Sequence, residues 1–166
     1  INPYRGCEHG CIYCYARPTH SYLNLSPGLD FETQIFAKRN AVALLRKELG
    51  KRGYVPSAIN LGANTDPYQP IERNERLTRG VIEVLAETHH PLTIVTKNAL
   101  VRRDIDLLAP MAAKKLVTVF ISISQLDNDL TRILEPRASA PANRLRAVRE
   151  LASAGIPTAV LVAPII

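Results

Sequence analysis

Alternating helical and extended patterns predict an α/β fold built on a parallel sheet. Two further observations agree. The extended runs are continuously apolar and rich in β-branched residues, as strands covered by helices are. Polar residues able to bind a ligand follow directly after those runs, at the strand ends where parallel α/β sheets hold their ligands. With 166 residues, the chain is long enough for one domain with a real core.

Residues 1–4 read as the end of a first strand, followed by a cysteine-bearing loop and an irregular stretch to about Asp30 that contains Pro18, Pro27 and Gly28. Residues 33–38 are extended. Asn40 is placed to cap a helix with Val42, Leu45 and Leu49 on one face, ending near Gly50 or Gly53. Residues 57–63 form a short buried strand. Leu77, Val81 and Leu85 recur every four residues and mark a second helix. Residues 92–96 are the next strand, and a third helix follows over about 103–114 with Ile105, Leu108 and Met111 inward. Residues 116–123 are the clearest strand. A fourth helix carries Leu145, Val148, Leu151 and Ala152 on one face and closes at Gly155, before a last strand over 158–163. Periodicity alone leaves an open doubly wound sheet and a barrel both in play.

Charge and cysteine use narrow the function classes. The net charge of +6 permits a nucleic-acid partner, since phosphate contacts come from Lys and Arg. The basic residues are spread over several helical faces (Lys47, Lys51 and Arg52; Arg144, Arg146 and Arg149 among them), which solvated helices also show. No apolar tract reaches the length of a membrane span, and no signal-peptide pattern opens the chain. Three closely spaced cysteines are no disulfide framework and fit a reducing cytoplasm.

Those cysteines are the most specific feature. Cys7, Cys11 and Cys14 lie in Cys-Glu-His-Gly-Cys-Ile-Tyr-Cys, a C-x3-C-x2-C spacing that puts three soft thiolates on one short loop. Thiolates select zinc, Cu(I) or iron–sulfur clusters. Structural zinc wants a fourth protein ligand, for which His9 and His20 are the rival candidates. A cluster with one open iron needs only three. Beyond the strands, Asn64, Thr65 and Asp66 follow the second, Lys97 and Asn98 the third, and Ser122 and Ser124 end the fourth. Asn64, Thr65 and Asp66 also suit a turn into Pro67. Lys97, one residue past a buried strand, calls for a carboxylate partner. Glu135 and Arg137 read either as a local ion pair or as cofactor contacts.

Cys7-x3-Cys11-x2-Cys14 with Tyr13 resembles the signature of the radical S-adenosylmethionine (SAM) enzymes. The runs 2–7 and 14–17, the segment Asn64-Thr65-Asp66-Pro67-Tyr68-Gln69-Pro70-Ile71-Glu72, and Leu134-Glu135-Pro136-Arg137-Ala138 resemble the branch related to spore photoproduct lyase, often labelled DNA repair photolyases. The resemblance implies a partial (β/α) barrel of the radical SAM type. Residues 1–166 would then be the radical SAM core with about four or five βα units, the N-terminal part of a longer protein. It implies a [4Fe–4S] cluster held by Cys7, Cys11 and Cys14 as metal ligands, with SAM on the open iron. It also implies a reductant such as flavodoxin or ferredoxin, and reductive cleavage of SAM to a 5′-deoxyadenosyl radical that abstracts hydrogen from substrate. Tyr13 would pack on the cluster or adenine, Lys97 would neutralise the SAM carboxylate, and Asn64, Thr65 and Ser122 would bond the methionyl or ribose part. No catalytic side chain is singled out. The implied substrate is a DNA photolesion, with RNA, a peptide or a metabolite as alternatives, and a non-enzymatic zinc module as the rival class. One departure stands out. Spore photoproduct lyase uses a further cysteine near the end of the second strand as hydrogen-atom donor, and residues 61–65 here, Leu-Gly-Ala-Asn-Thr, have none.

Overall fold

β-Branched and aliphatic residues place four strands side by side: β3 (Ile59–Leu61), β4 (Leu92–Thr96), β5 (Val117–Ser122) and β6 (Thr158–Leu161). All three pairings are parallel, and the strands neighbour one another in chain order. The structure, a computed structural model, describes residues 1–165. Because the order never reverses, the sheet has no topological switch point. This is the winding of a barrel segment and not of a doubly wound sheet.

Two short strands, β1 (Tyr4–Arg5) and β2 (Phe36–Ala37), pair antiparallel beside it. The N-terminal segment was expected to end a first parallel strand, and here the structure differs. Ile1 and Asn2 do lie along β3, the Ile1 nitrogen on the Asn60 carbonyl (2.6 Å) and the Asn2 side chain on the amides of Asn64 and Thr65. Tyr4 itself pairs with Ala37 in the antiparallel ribbon, and its side chain turns inward to the buried Glu72.

Helices α2 (Ala41–Leu49), α4 (Leu77–Glu87), α5 (Ile105–Ala113) and α7 (Pro141–Ser153) cover one face of the sheet, α2 packing on α4 and α4 on α5. Leu45, Val81, Leu85, Leu108, Met111 and Leu151 meet Leu92, Ile94, Val119 and Ile121 in one core. Each fully buried aliphatic side chain there contributes about 1.5–3 kcal/mol. The strands are apolar on both faces, yet Thr93, Val95, Thr118 and Phe120 are only half buried. That second face is the inner side, and Val95 on it lines the cavity described below.

Local chemistry sets the boundaries. The third helix starts as a 3-10 turn over Ala99–Asp104, where the Asn98 side chain accepts from the Leu100 amide. Asn40 stands at the N-cap of α2 without a side-chain cap bond. Three short helices carried no long periodic signal: α1 (Asp30–Thr33), α3 (Glu72–Glu75) and α6 (Asn128–Leu134), the last capped by Asp127 on the amides of Asp129 and Leu130. The face of α7 is a correction. Leu145 is 44% exposed, Ala152 also faces out, and Arg144 takes the inward position with Ala147 and Leu151. An internal carboxylate, Glu135, holds Arg144 there.

Candidate cofactor site

A cavity of about 600 Å³ opens beyond the C-terminal ends of β3 to β6. Cys7, Cys11, Cys14, Tyr13, Asn64, Thr65, Asp66, Lys97 and Ser122 all line it. The strand-end polar residues and the cysteine loop thus share one rim, as the fold class requires.

The turn after β3 reaches that rim because of Gly62. Its φ is +94°, and a Cβ there would lie 2.2 Å from the Val95 carbonyl oxygen. The cysteine loop is pinned at three points by backbone bonds: Cys7 N–H to Phe31 O (2.9 Å), Ile12 N–H to Leu134 O (3.0 Å), and Arg137 N–H to His9 O (3.1 Å). Gly10, at φ +68°, lets the Arg137 guanidinium cross the loop, where any Cβ would clash with it. Cys7 and Cys11 are buried and Cys14 is half buried. Burial pushes the Cys11 thiol up to about 12 and raises Cys7 as well, with Asp66 adding to the effect at Cys7. A bound metal reverses that preference, since a coordinating thiol is deprotonated.

Both rival histidines have other partners. His9 is 1% exposed and lies between the Asp66 carboxylate (Nδ1 to Oδ2, 3.4 Å) and the Asn98 amide (Nε2, 3.2 Å). Burial, partly offset by Asp66, lowers its pKa and favours the neutral ring. His20 meets the Gln34 carbonyl and packs edge-on against Phe31 and Phe36. Among the described residues, no three His, Cys, Asp or Glu side chains gather closely enough to hold one metal ion.

Lys97 finds its carboxylate inside the protein. Its ammonium lies 2.9 Å from Glu135 Oε1, donates to Ser122 Oγ at 2.7 Å, and sits 5.4 Å from the centre of the Tyr13 ring. Glu135 also accepts from Tyr13 Oη and Ser124 Oγ and pairs with Arg144. Burial alone would raise its pKa, but Tyr13, Lys97 and Arg144 together hold it down at about 2. Glu135 and Arg137 do not pair with each other. Arg137 binds Glu32 and the Glu8 carbonyl. Thr65 commits its hydroxyl to the Tyr4 carbonyl (3.0 Å), and the Asn64 amide donates to Asn2. Asp66 does more than cap a turn. It accepts from Thr96 Oγ1, the Lys97 amide and the Tyr68 amide, and so fixes where Lys97 leaves β4. The sequence offered no signal for the reach from Asp66 to β4, or from Glu135 to α7.

The profile of the radical SAM superfamily matches residues 1–166, and the chain belongs to that superfamily. Among its relatives, a Mycobacterium tuberculosis protein described only as uncharacterized is 43% identical over 166 residues, covering 100% of this chain and 49% of the relative. An uncharacterized Methanocaldococcus jannaschii protein is 28% identical over all of this chain and 60% of its own length. The chain spans about half the length of the mycobacterial relatives it matches. In solved structures, a cysteine-to-serine mutant of spore photoproduct lyase superposes with a TM-score of 0.66 at 24% identity, over 99% of this chain and 45% of that one. A second mutant of that enzyme, with bound AdoMet and dinucleoside spore photoproduct, also gives 0.66 at 24% over the same shares. At that identity the likeness speaks for the fold, a radical SAM α/β core. No helix among the described residues is long and apolar enough to cross a membrane.

Proposed function

We propose that this chain is the N-terminal core of a radical SAM enzyme, with Cys7, Cys11 and Cys14 holding a [4Fe–4S] cluster and SAM bound beside it. The observation that carries this reading is the shared cavity wall, where the three cysteines face Lys97 and Ser122 across the ends of the parallel strands. The donor set fits the cluster. Three soft thiolates, each free to take a different iron, suit a polynuclear centre with one open position. A tetrahedral zinc would need a fourth ligand; His9 is held by Asp66 and Asn98, and His20 does not line the cavity that the cysteines share. When bound, the reduced cluster and SAM supply a 5′-deoxyadenosyl radical and hence hydrogen abstraction, so the protein's work is binding, orientation and exclusion of water.

In this reading each residue has a task. Lys97 meets the SAM carboxylate with an ammonium already fixed by Ser122 and Glu135. Asn64 and Thr65 stand on the same wall, with the Thr65 hydroxyl donated to the Tyr4 carbonyl. Tyr13 packs between the loop and Lys97. The electron comes from a flavodoxin- or ferredoxin-type donor, and a cytoplasmic setting suits such a donor. The first substrate class to test is a DNA photolesion, supported by the net charge of +6 and by the likeness to spore photoproduct lyase. Within residues 1–166 no cysteine is left to donate that hydrogen, since all three stand in the loop, so the donor or the reaction differs at this position.

The test uses the full-length protein, reconstituted anaerobically with iron and sulfide, then given dithionite and SAM. Formation of 5′-deoxyadenosine, lost together with bound iron in Cys11→Ala, is the expected result. A colourless protein that holds one zinc and makes none would overturn it. Stimulation by ultraviolet-damaged over undamaged DNA identifies the lesion as substrate. Its absence turns the search to RNA, peptides or metabolites.

A further inference from the structure

Four separate segments send a polar group to one carboxylate. Tyr13 comes from the cysteine loop, Lys97 from the end of β4, Ser124 from the end of β5 and Arg144 from α7, and all reach Glu135, which is 1% exposed. Arg144 is equally buried and also donates to the carbonyls of Ser139 and Ser122. Burying this much charge is costly unless it is paired. In a well-satisfied interior, an apolar set of residues would be the cheaper solution.

The pairing is also unequal. Two cations, Lys97 and Arg144, share the single carboxylate of Glu135. Asp66, the other carboxylate on that wall, faces the His9 ring and accepts from Thr96 and the amides of Lys97 and Tyr68, while the Lys97 ammonium goes to Glu135. An ammonium has three protons to donate. Glu135 and Ser122 take two from Lys97, and the third has no acceptor among the described residues, although Lys97 lines the cavity. Arg144 is committed to Glu135 and to main-chain oxygens. Lys97 is the cation of the pair that lines the cavity.

We propose that Glu135 is the positioning residue of this site. It fixes the Lys97 ammonium at the wall for a ligand carboxylate, and through Tyr13 it ties that ammonium to the loop that carries the cysteines. The inference rests on the cofactor reading above. A lysine side chain loses substantial rotamer freedom when it is immobilised at binding. Glu135 and Ser122 remove that cost beforehand, and Arg144 keeps Glu135 from cancelling the charge of Lys97.

A double-mutant cycle on the full-length, cluster-loaded protein tests this, reading the Kd for SAM by calorimetry alongside iron content. Glu135→Gln and Lys97→Ala are each expected to weaken SAM binding about tenfold. The double variant should be no weaker than Lys97→Ala by more than about twofold, because residues that act through one another do not add. Iron per chain should equal that of the wild type in all three. Multiplying effects, or iron lost in Glu135→Gln, would overturn the proposal, the latter by making Glu135 a support of the loop alone. Should Glu135→Gln fail to fold, Glu135→Asp keeps the charge and withdraws it by one methylene. Weaker SAM binding with full iron supports the role, and wild-type affinity refutes it. A wild-type protein that holds no cluster and binds no SAM defeats the cofactor reading itself, and this inference with it. Wild-type binding with an additive cycle defeats this inference alone.

Discussion

Two buried carboxylate networks lie in this fold, and they differ in how completely they close. Away from the cavity, Glu72 accepts from Tyr4, Arg103 and the amides of Thr78 and Arg79, while Asp104 accepts from Tyr68, Arg79 and Arg103. Both acids are 0% exposed; Arg103 bridges them, and Arg79 ties Asp104 to Asp106 and Glu83 at the surface. At the cavity, one carboxylate serves two cations, and an ammonium proton is left for something outside the chain. The chemistry is the same in both places. The first network fastens α3 and α4 to the N-terminal segment, whereas the second brings Lys97 to the cavity wall, where we propose that it meets the cofactor.

The largest effect expected from this contrast is on stability. Glu72→Ala leaves Arg103 with Asp104 alone and strands the Tyr4 hydroxyl and the Thr78 amide beside a buried void, and should cost about 3 kcal/mol, measured as a lowered urea midpoint. The same variant should leave the SAM Kd at its wild-type value, and a shift would erase the distinction between the networks. The next effect concerns pH. Burial disfavours the Glu135 charge, but Tyr13, Lys97 and Arg144 outweigh it and depress the pKa from 4.5 to about 2. A depressed carboxylate contributes stability that is fully present above 4.5 and is lost as pH falls towards 2. Unfolding followed from pH 6 to pH 3 should therefore show a decline in the wild type that is shallower in Glu135→Gln. The smallest effect tests the face of α7: Leu145→Gln, on the solvent side, should change stability by no more than about 0.5 kcal/mol.

How much of this was legible in the chain varies by element. The helix containing Leu77, Val81 and Leu85 and the strands at 92–96 and 116–123 were readable because burial on a regular element repeats at a fixed spacing. The α7 face was misread at Leu145 because periodicity ranks residues by apolarity, and an arginine does not announce that a distant carboxylate will take it inside. Likewise residues 1–4 read as the end of a first strand, although Tyr4 and Arg5 pair locally with Ala37 and Phe36.

By itself, the sequence determined the α/β alternation, the three-cysteine loop and the placing of Asn64, Lys97 and Ser122 at strand ends, since each depends on residue types at short, fixed spacings. Only the tertiary structure decided that Glu135 pairs with Lys97 and Arg144, that Asp66 reaches β4 and His9, and that Arg137 crosses to Glu32. Those partners are separated by 9 to 105 residues along the chain. Which charge meets which is settled when packing closes the sheet and its helices, because burial makes an unpaired charge too costly to leave.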